Sequence, residues 1–133
     1  MQYQQFMDGV MQSGNIPSLQ QTELVVEASL STLGERMHPA MIDKLRSQLP
    51  NQLKKYLTER SSSIQFSLEE YYTRVGARAK IRYHQAVRWS RVVMNMVNRT
   101  ITPGLQKEIL GDFPAEFVEL FGQEPTTPLS PTV

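Results

Sequence analysis

Apolar residues recur along this chain at the spacing of helices, and the pattern occurs twice. Tyr3, Phe6, Met7 and Val10 form one stripe, and Leu68, Tyr71, Tyr72 and Val75 repeat it 65 positions later. A longer stripe comes after each. Val26, Leu30, Leu33 and Met37 stand at i, i+4, i+7 and i+11 in the first copy, and Trp89, Val92, Met94, Met96, Val97 and Ile101 mark the corresponding helix in the second. This spacing gathers apolar side chains on one face of an amphipathic helix. Strict alternation is absent and the β-branched residues fall inside helical stripes, so no segment reads as a strand.

From the second helix onward the copies align at an offset of 64, so one loop residue separates the two registers. Met37 falls on Ile101, Pro39 on Pro103, Leu45 on Ile109, Leu49 on Phe113, Pro50 on Pro114, Leu53 on Phe117 and Leu57 on Phe121. Of the 15 apolar residues from Leu24 to Leu57, 11 meet another apolar residue, where a 40% apolar composition gives about 6 by chance. The segment 3–57 is thus repeated as 68–121.

Boundary signals divide each copy further. Ser67 and Glu70 make a capping box, with Phe66 and Tyr71 at staple positions, and Ser18 with Gln21 makes a weaker box. Pro39 and Pro103 suit a helix's first turn, where the missing amide costs nothing, and Thr102 is a plausible N-cap. Pro50 and Pro114 open a last helix presenting Leu53, Tyr56 and Leu57, or Phe117, Leu120 and Phe121. The expectation is an all-α helical bundle: a single domain over 1–121, made of two homologous four-helix halves packed about a pseudo-two-fold axis. A linker is expected over 60–66, and a disordered tail rich in Pro, Ser and Thr over 122–133. Each half alone is near the lower size limit for a stable core, so the halves should pack on one another as two copies would in a homodimer.

Composition narrows the chemistry. With no cysteine there is no disulfide, thiolate chemistry or sulfur-ligated metal. The first residues lack the charged and apolar regions of a secretory signal, and no run approaches the roughly 18 apolar residues of a membrane span. A cytoplasmic protein with no membrane contact is expected. The net charge of +1 hides an uneven distribution: between Glu70 and Glu108 there are eight lysines and arginines and no acid, and after Lys107 only acids.

Leu33, Gly34, Glu35, Arg36 and Met37, then Gln48, Leu49 and Pro50, with the echo Phe113, Pro114, Ala115, Glu116, Phe117, Val118, Glu119, Leu120 and Phe121, resemble a small bacterial family of duplicated helical proteins catalogued as domain of unknown function twenty-two sixty-seven. The resemblance spans roughly 1–121 and takes in Phe6 to Val10 and Glu69 to Val75. Phe113 stands where the family pattern has leucine. The resemblance implies a compact all-helical fold and brings no activity, cofactor or catalytic residue with it.

Four arginines form the candidate binding site. Arg74 and Arg78 lie at i, i+4 on one helix, and Arg88 and Arg91 at i, i+3 on the next, continued by Asn95 and Asn98. Together they make a candidate polyanion-binding face, with Tyr72, Tyr83 and Trp89 available for base stacking. The competing reading pairs these arginines with acids of the chain, which the low net charge favours. Trp89 aligns with Val25 and reads as core before it reads as a stacking platform. Glu35 and His38 have the Glu-x-x-His spacing of di-iron bundles, but the second copy has Arg99 and Thr102 there, so half the site is missing and no metal or cofactor is expected. His38 reads as a helix-junction residue. His84 has no partner to orient it as a base. The seven methionines read as core fillers, a Met-lined groove for a partner helix being their functional version.

No catalytic residue emerges, and no enzyme is expected. The favoured function is a non-enzymatic protein-interaction module with an unknown protein partner. The alternative is nucleic-acid or polyanion binding through the basic face of the second repeat. The oligomeric state stays open.

Overall fold

Both halves open on a helix of 12 residues that ends in the same way, α1 at Tyr3–Gly14 and α5 at Leu68–Ala79. The residue after each helix is left-handed, Asn15 at φ 51° and Lys80 at φ 60°. Beyond it the amide of Ile16 donates to Met11 O and that of Ile81 to Gly76 O, each at 3.0 Å. These bonds satisfy carbonyls that the helix end would otherwise leave open. Asn tolerates this conformation, but lysine has no short polar side chain to support it and carries strain of order 1 kcal/mol.

The computed structural model that shows this describes residues 1–57 and 65–121, and among them every regular element is helical. The remaining elements are α2 (Leu19–Arg36), α3 (Pro39–Gln48), α4 (Asn51–Lys54), α6 (Tyr83–Thr100), α7 (Pro103–Gly111) and a 3-10 helix, Ala115–Val118. Four residues join α1 to α2 and three join α5 to α6, which accounts for the change of offset from 65 to 64. Positions 60–64 of the expected linker and the whole expected tail at 122–133 lie outside the described residues.

The capping signals set the boundaries. Ser18 accepts from the amide of Gln21 and Ser67 from that of Glu70, both at 3.1 Å, and Thr102 accepts from Leu105 at 3.2 Å. The box at Ser67 is only half formed, because the Glu70 carboxylate receives Arg74 Nε at 2.9 Å. His38 is the N-cap of α3, its Nδ1 accepting from Ala40 at 3.1 Å. Pro39 and Pro103 lie in first turns as expected. Pro50 and Pro114, however, are N-caps, and the helix each one opens is a single turn, α in the first half and 3-10 in the second. Both copies bend alike: Leu53 donates to Pro50 O and Phe117 to Pro114 O, each at 3.0 Å. The short turns suffice because they deliver Leu53 and Leu57, or Phe117, Leu120 and Phe121, into the core.

The two long helices lie at the centre, α2 against α6. The first helix of each half packs on the long helix of the other half as well as on its own, α1 on α6 and α5 on α2, and α3 meets α7. Neither half therefore closes a core alone. On α6 the buried face holds Ala86, Trp89, Ser90, Val93, Met94, Met96 and Val97, while Val92, expected on it, is only half-buried at its edge. The α2–α5 contact includes Tyr71, fully buried, whose hydroxyl donates to Ser29 O at 2.9 Å. Phe117 packs edge-on to Tyr71 with ring centroids 6.5 Å apart. Burying each such ring contributes roughly 1.5–3 kcal/mol.

Candidate functional site

On the last two turns of α2 and the facing turns of α5, three charged side chains close into one cluster. Arg78 Nη2 lies 2.9 Å from Glu35 Oε2, and Arg74 Nη1 lies 3.2 Å from Glu35 Oε1, so each carboxylate oxygen takes a different arginine. Arg78 Nη1 also donates to Thr32 Oγ1 at 2.9 Å. Arg74 is held further by Glu70, one helical turn back, and lies 4.3 Å from the centroid of the Phe66 ring. The hydrogen bond to Glu70, opposed by partial burial and reinforced by Glu35, raises the Arg74 pKa above its ordinary value. The Glu35 side chain is 10% exposed, whereas those of Arg74 and Arg78 are 26% and 38% exposed. The acid is thus the sheltered centre and the arginines its rim.

Arg78 and Glu35 form one end of a cleft of about 330 Å³ that runs along α2. Leu24, Glu27, Ala28 and Ser31 line the rest, at i, i+3, i+4 and i+7 of that helix. Leu24 is 42% exposed at the lip of the cleft, and Leu19, near the start of the same helix, is 48% exposed. The Ser31 hydroxyl donates to Glu27 O at 2.7 Å, so its proton is engaged by its own helix. Sequence reasoning missed this cleft, although its signal was present: Gln20, Glu23, Leu24, Glu27 and Ser31 form the solvent-phase stripe of α2.

Of the four arginines expected to form one face, Arg74 and Arg78 meet on Glu35, while Arg88 and Arg91 lie on α6. No hydrogen bond joins the two pairs among the described residues. Arg88 is exposed and Arg91 half-buried, and among the described residues neither has a carboxylate within ion-pair distance. Arg91 is close enough to Tyr72 to favour its ionisation, against larger effects of burial and of the bond from the Tyr72 hydroxyl to Glu119 Oε2, at 2.8 Å, which raise the Tyr72 pKa. Of the aromatic residues interleaved with the arginines, only Tyr83 is exposed, at 48%. Tyr72 is buried beneath it, ring centroids 6.0 Å apart, and Trp89 is buried with Nε1 donating to Gly14 O at 2.9 Å.

Glu35 and His38 do not converge: the acid holds arginines while the imidazole caps α3. Among the described residues no three His, Asp or Glu side chains are grouped to hold a metal ion. His84 is exposed. Met7, Met37 and Met94 are buried in the core, and Met41 is partly buried against it.

No local pattern in the sequence marks Arg36, which is 4% exposed at the end of α2. Its Nε donates to Phe66 O at 2.7 Å and Nη1 to Gln65 Oε1 at 2.9 Å, holding the last residues of the expected linker. The guanidinium also lies 5.4 Å and 5.1 Å from the centroids of Phe113 and Phe117. Burial lowers its pKa, with Asp112 and Glu116 opposing.

Residues 3–120 match the family described as Uncharacterized conserved protein (DUF2267), and the chain belongs to that family. No curated protein matches the chain. Among the described residues no helix is long and apolar enough to cross a membrane.

Proposed function

We propose that the chain is a non-enzymatic protein-interaction module whose partner docks along the exposed stripe of α2. The observation that carries this reading is Leu24, a leucine 42% exposed on a central helix, beside a cleft of about 330 Å³ that ends in the Glu35–Arg78 pair. An apolar anchor flanked by oriented charges is a surface that recognises another protein. Catalysis has less support: in the cleft Glu35 and Arg78 neutralise one another, and the Ser31 hydroxyl is bonded to backbone.

The module is read as two repeats about a pseudo-two-fold axis. Two contacts support this. The amide of Thr102 donates to Gln48 Oε1 at 2.8 Å and that of His38 to Asp112 Oδ2 at 3.4 Å. His38 aligns with Thr102 and Gln48 with Asp112, so these bonds are one bond made twice, in opposite directions.

The test replaces Leu24 with a photo-reactive residue in the cells that make the protein, with exposed Lys107 as the control site. A protein adduct is expected at position 24 and not at 107. If position 24 yields none while the protein accumulates normally, the reading fails.

Polyanion binding through Arg74, Arg78, Arg88 and Arg91 is the second reading. What favours it is that Arg88 and Arg91 have no carboxylate at ion-pair distance among the described residues.

A further inference from the structure

We propose that copies of this chain bind one another, the solvent-facing stripe of α2 on one copy meeting the solvent-facing stripe of α6 on the next. This rests on the interaction-module reading and names the partner as a second copy of the chain.

The duplication makes the two stripes equivalent. A shift of 64 carries Gln20, Glu23, Leu24, Glu27 and Ser31 onto His84, Val87, Arg88, Arg91 and Asn95. Both stripes lie on helices of 18 residues, so they match turn for turn. Their charges, however, are opposite. On α2, Glu23 and Glu27 are exposed around Leu24; on α6, exposed Arg88 and half-buried Arg91 follow half-buried Val87. Neighbouring residues reduce the contrast without removing it. Lys55 lies 5.3 Å from the Tyr56 ring centroid, and Glu27 and Glu23 both raise the Tyr56 pKa, after burial, the largest cause. Two acids against one lysine leave the α2 stripe negative. On α6, Glu119 reaches Tyr72 beside Arg91, and Glu69 and Glu119 both raise the pKa of Tyr83 at the start of the helix, after burial, the largest cause; exposed Arg82 with Arg88 and Arg91, against these two acids, leaves that stripe positive.

Two surfaces of the same helical shape with opposite charge, each with one apolar residue among its polar ones, are complementary to each other. Two α2 stripes repel, as do two α6 stripes, so the charges also exclude like-to-like pairing. The α2-to-α6 contact is either reciprocated, closing a two-fold dimer, or repeated, adding copies one at a time. Both assemblies use the pairing proposed.

Sedimentation velocity over a concentration series tests it, with wild type, a Glu23→Lys/Glu27→Lys variant, an Arg88→Glu/Arg91→Glu variant, and an equal mixture of the two. Wild type is expected to associate at low salt and dissociate as salt rises. Each variant alone carries two stripes of one sign and should lose at least about tenfold in affinity, and the mixture should recover association because one variant is basic on both stripes and the other acidic. Should Arg91→Glu unfold the protein through its proximity to Glu119, Arg88→Glu alone serves in the same mixture. Wild type that stays monomeric throughout, or folded variants that stay monomeric when mixed, overturns the proposal. The crosslink at position 24 separates the two readings: an adduct of two copies supports both, an adduct with another protein keeps only the interaction module, and no adduct removes the module itself.

Discussion

Lys44 and Glu108 are 64 positions apart and meet, Nζ to Oε2, at 2.8 Å. They are equivalent residues of the two repeats, so in the arrangement inferred above they face one another across the axis. A symmetric homodimer would place identical residues there, two lysines or two glutamates, in repulsion. Joining the copies in one chain permits opposite charges at equivalent positions. Both side chains are about half exposed, so the pair contributes little, roughly 0.2–1 kcal/mol. Lys44→Glu, which restores like charges, should destabilise by about that amount in a urea melt at low salt, and the difference should shrink in high salt. An effect that ignores salt would mean that Lys44 acts through packing.

Arg36 should tolerate no conservative exchange. Arg36→Lys removes the fork that reaches both Phe66 O and Gln65 Oε1 and leaves a compact charge among phenylalanine rings. The expected cost is about 2–4 kcal/mol, against a total of roughly 5–15. Hydrogen exchange should quicken first at the start of α5, where Gln65 and Phe66 are tied down. A lysine variant as stable as wild type would show that the arginine is a bystander.

Buried tyrosines make the fold sensitive to alkali. Burial raises the pKa of Tyr71 above the ordinary 10.0, a bond to Ser29 opposing, and burial reinforced by the bond to Glu119 raises that of Tyr72. A raised pKa means the folded state keeps its proton where the unfolded chain has lost it. The stabilisation is therefore complete below pH 10 and declines as pH rises above it, by about 1.4 kcal/mol per unit for each tyrosine. Urea melts above pH 10 should show a decline of at least about twice that slope for the wild type, and Tyr72→Phe should decline less steeply by about 1.4 kcal/mol per unit.

For polyanion binding the geometry sets a number. Arg74 and Arg78 are engaged by Glu35 and Glu70, which leaves Arg88 and Arg91 for phosphates. Two contacts give a slope of log affinity against log salt of roughly −2, where four would give nearly twice that. Titrating a fluorescent oligonucleotide across salt concentrations measures it. A slope near −4 would mean that Glu35 releases its arginines on binding, and no binding at low salt would end this reading.

Much of the fold was legible because duplication supplied two readings of each element. Ser67, Thr102, Pro39 and Pro103 announced their helix starts through backbone chemistry that needs no tertiary context. The last element was overestimated at Pro50 and Pro114, since proline suits an N-cap as well as a first turn and only packing decides how far the helix then continues. The cluster at Glu35 was hidden because its arginines come from 39 and 43 residues further along the chain, a distance that no local period reports. Arg36 was hidden for a related reason: its acceptors are a carbonyl and a glutamine that α2 meets only in the folded chain.

The cross-packing of the first helices sets the order in which the protein can be made. The face of α1 that carries Phe6, Met7 and Val10 rests partly on α6, which leaves the ribosome roughly 70 residues later. At about 5–20 residues per second, that surface waits roughly 4–14 seconds for its cover. During that interval the nascent chain carries a half-built core with an uncovered apolar flank. A message truncated after the first repeat would yield a product bound for degradation.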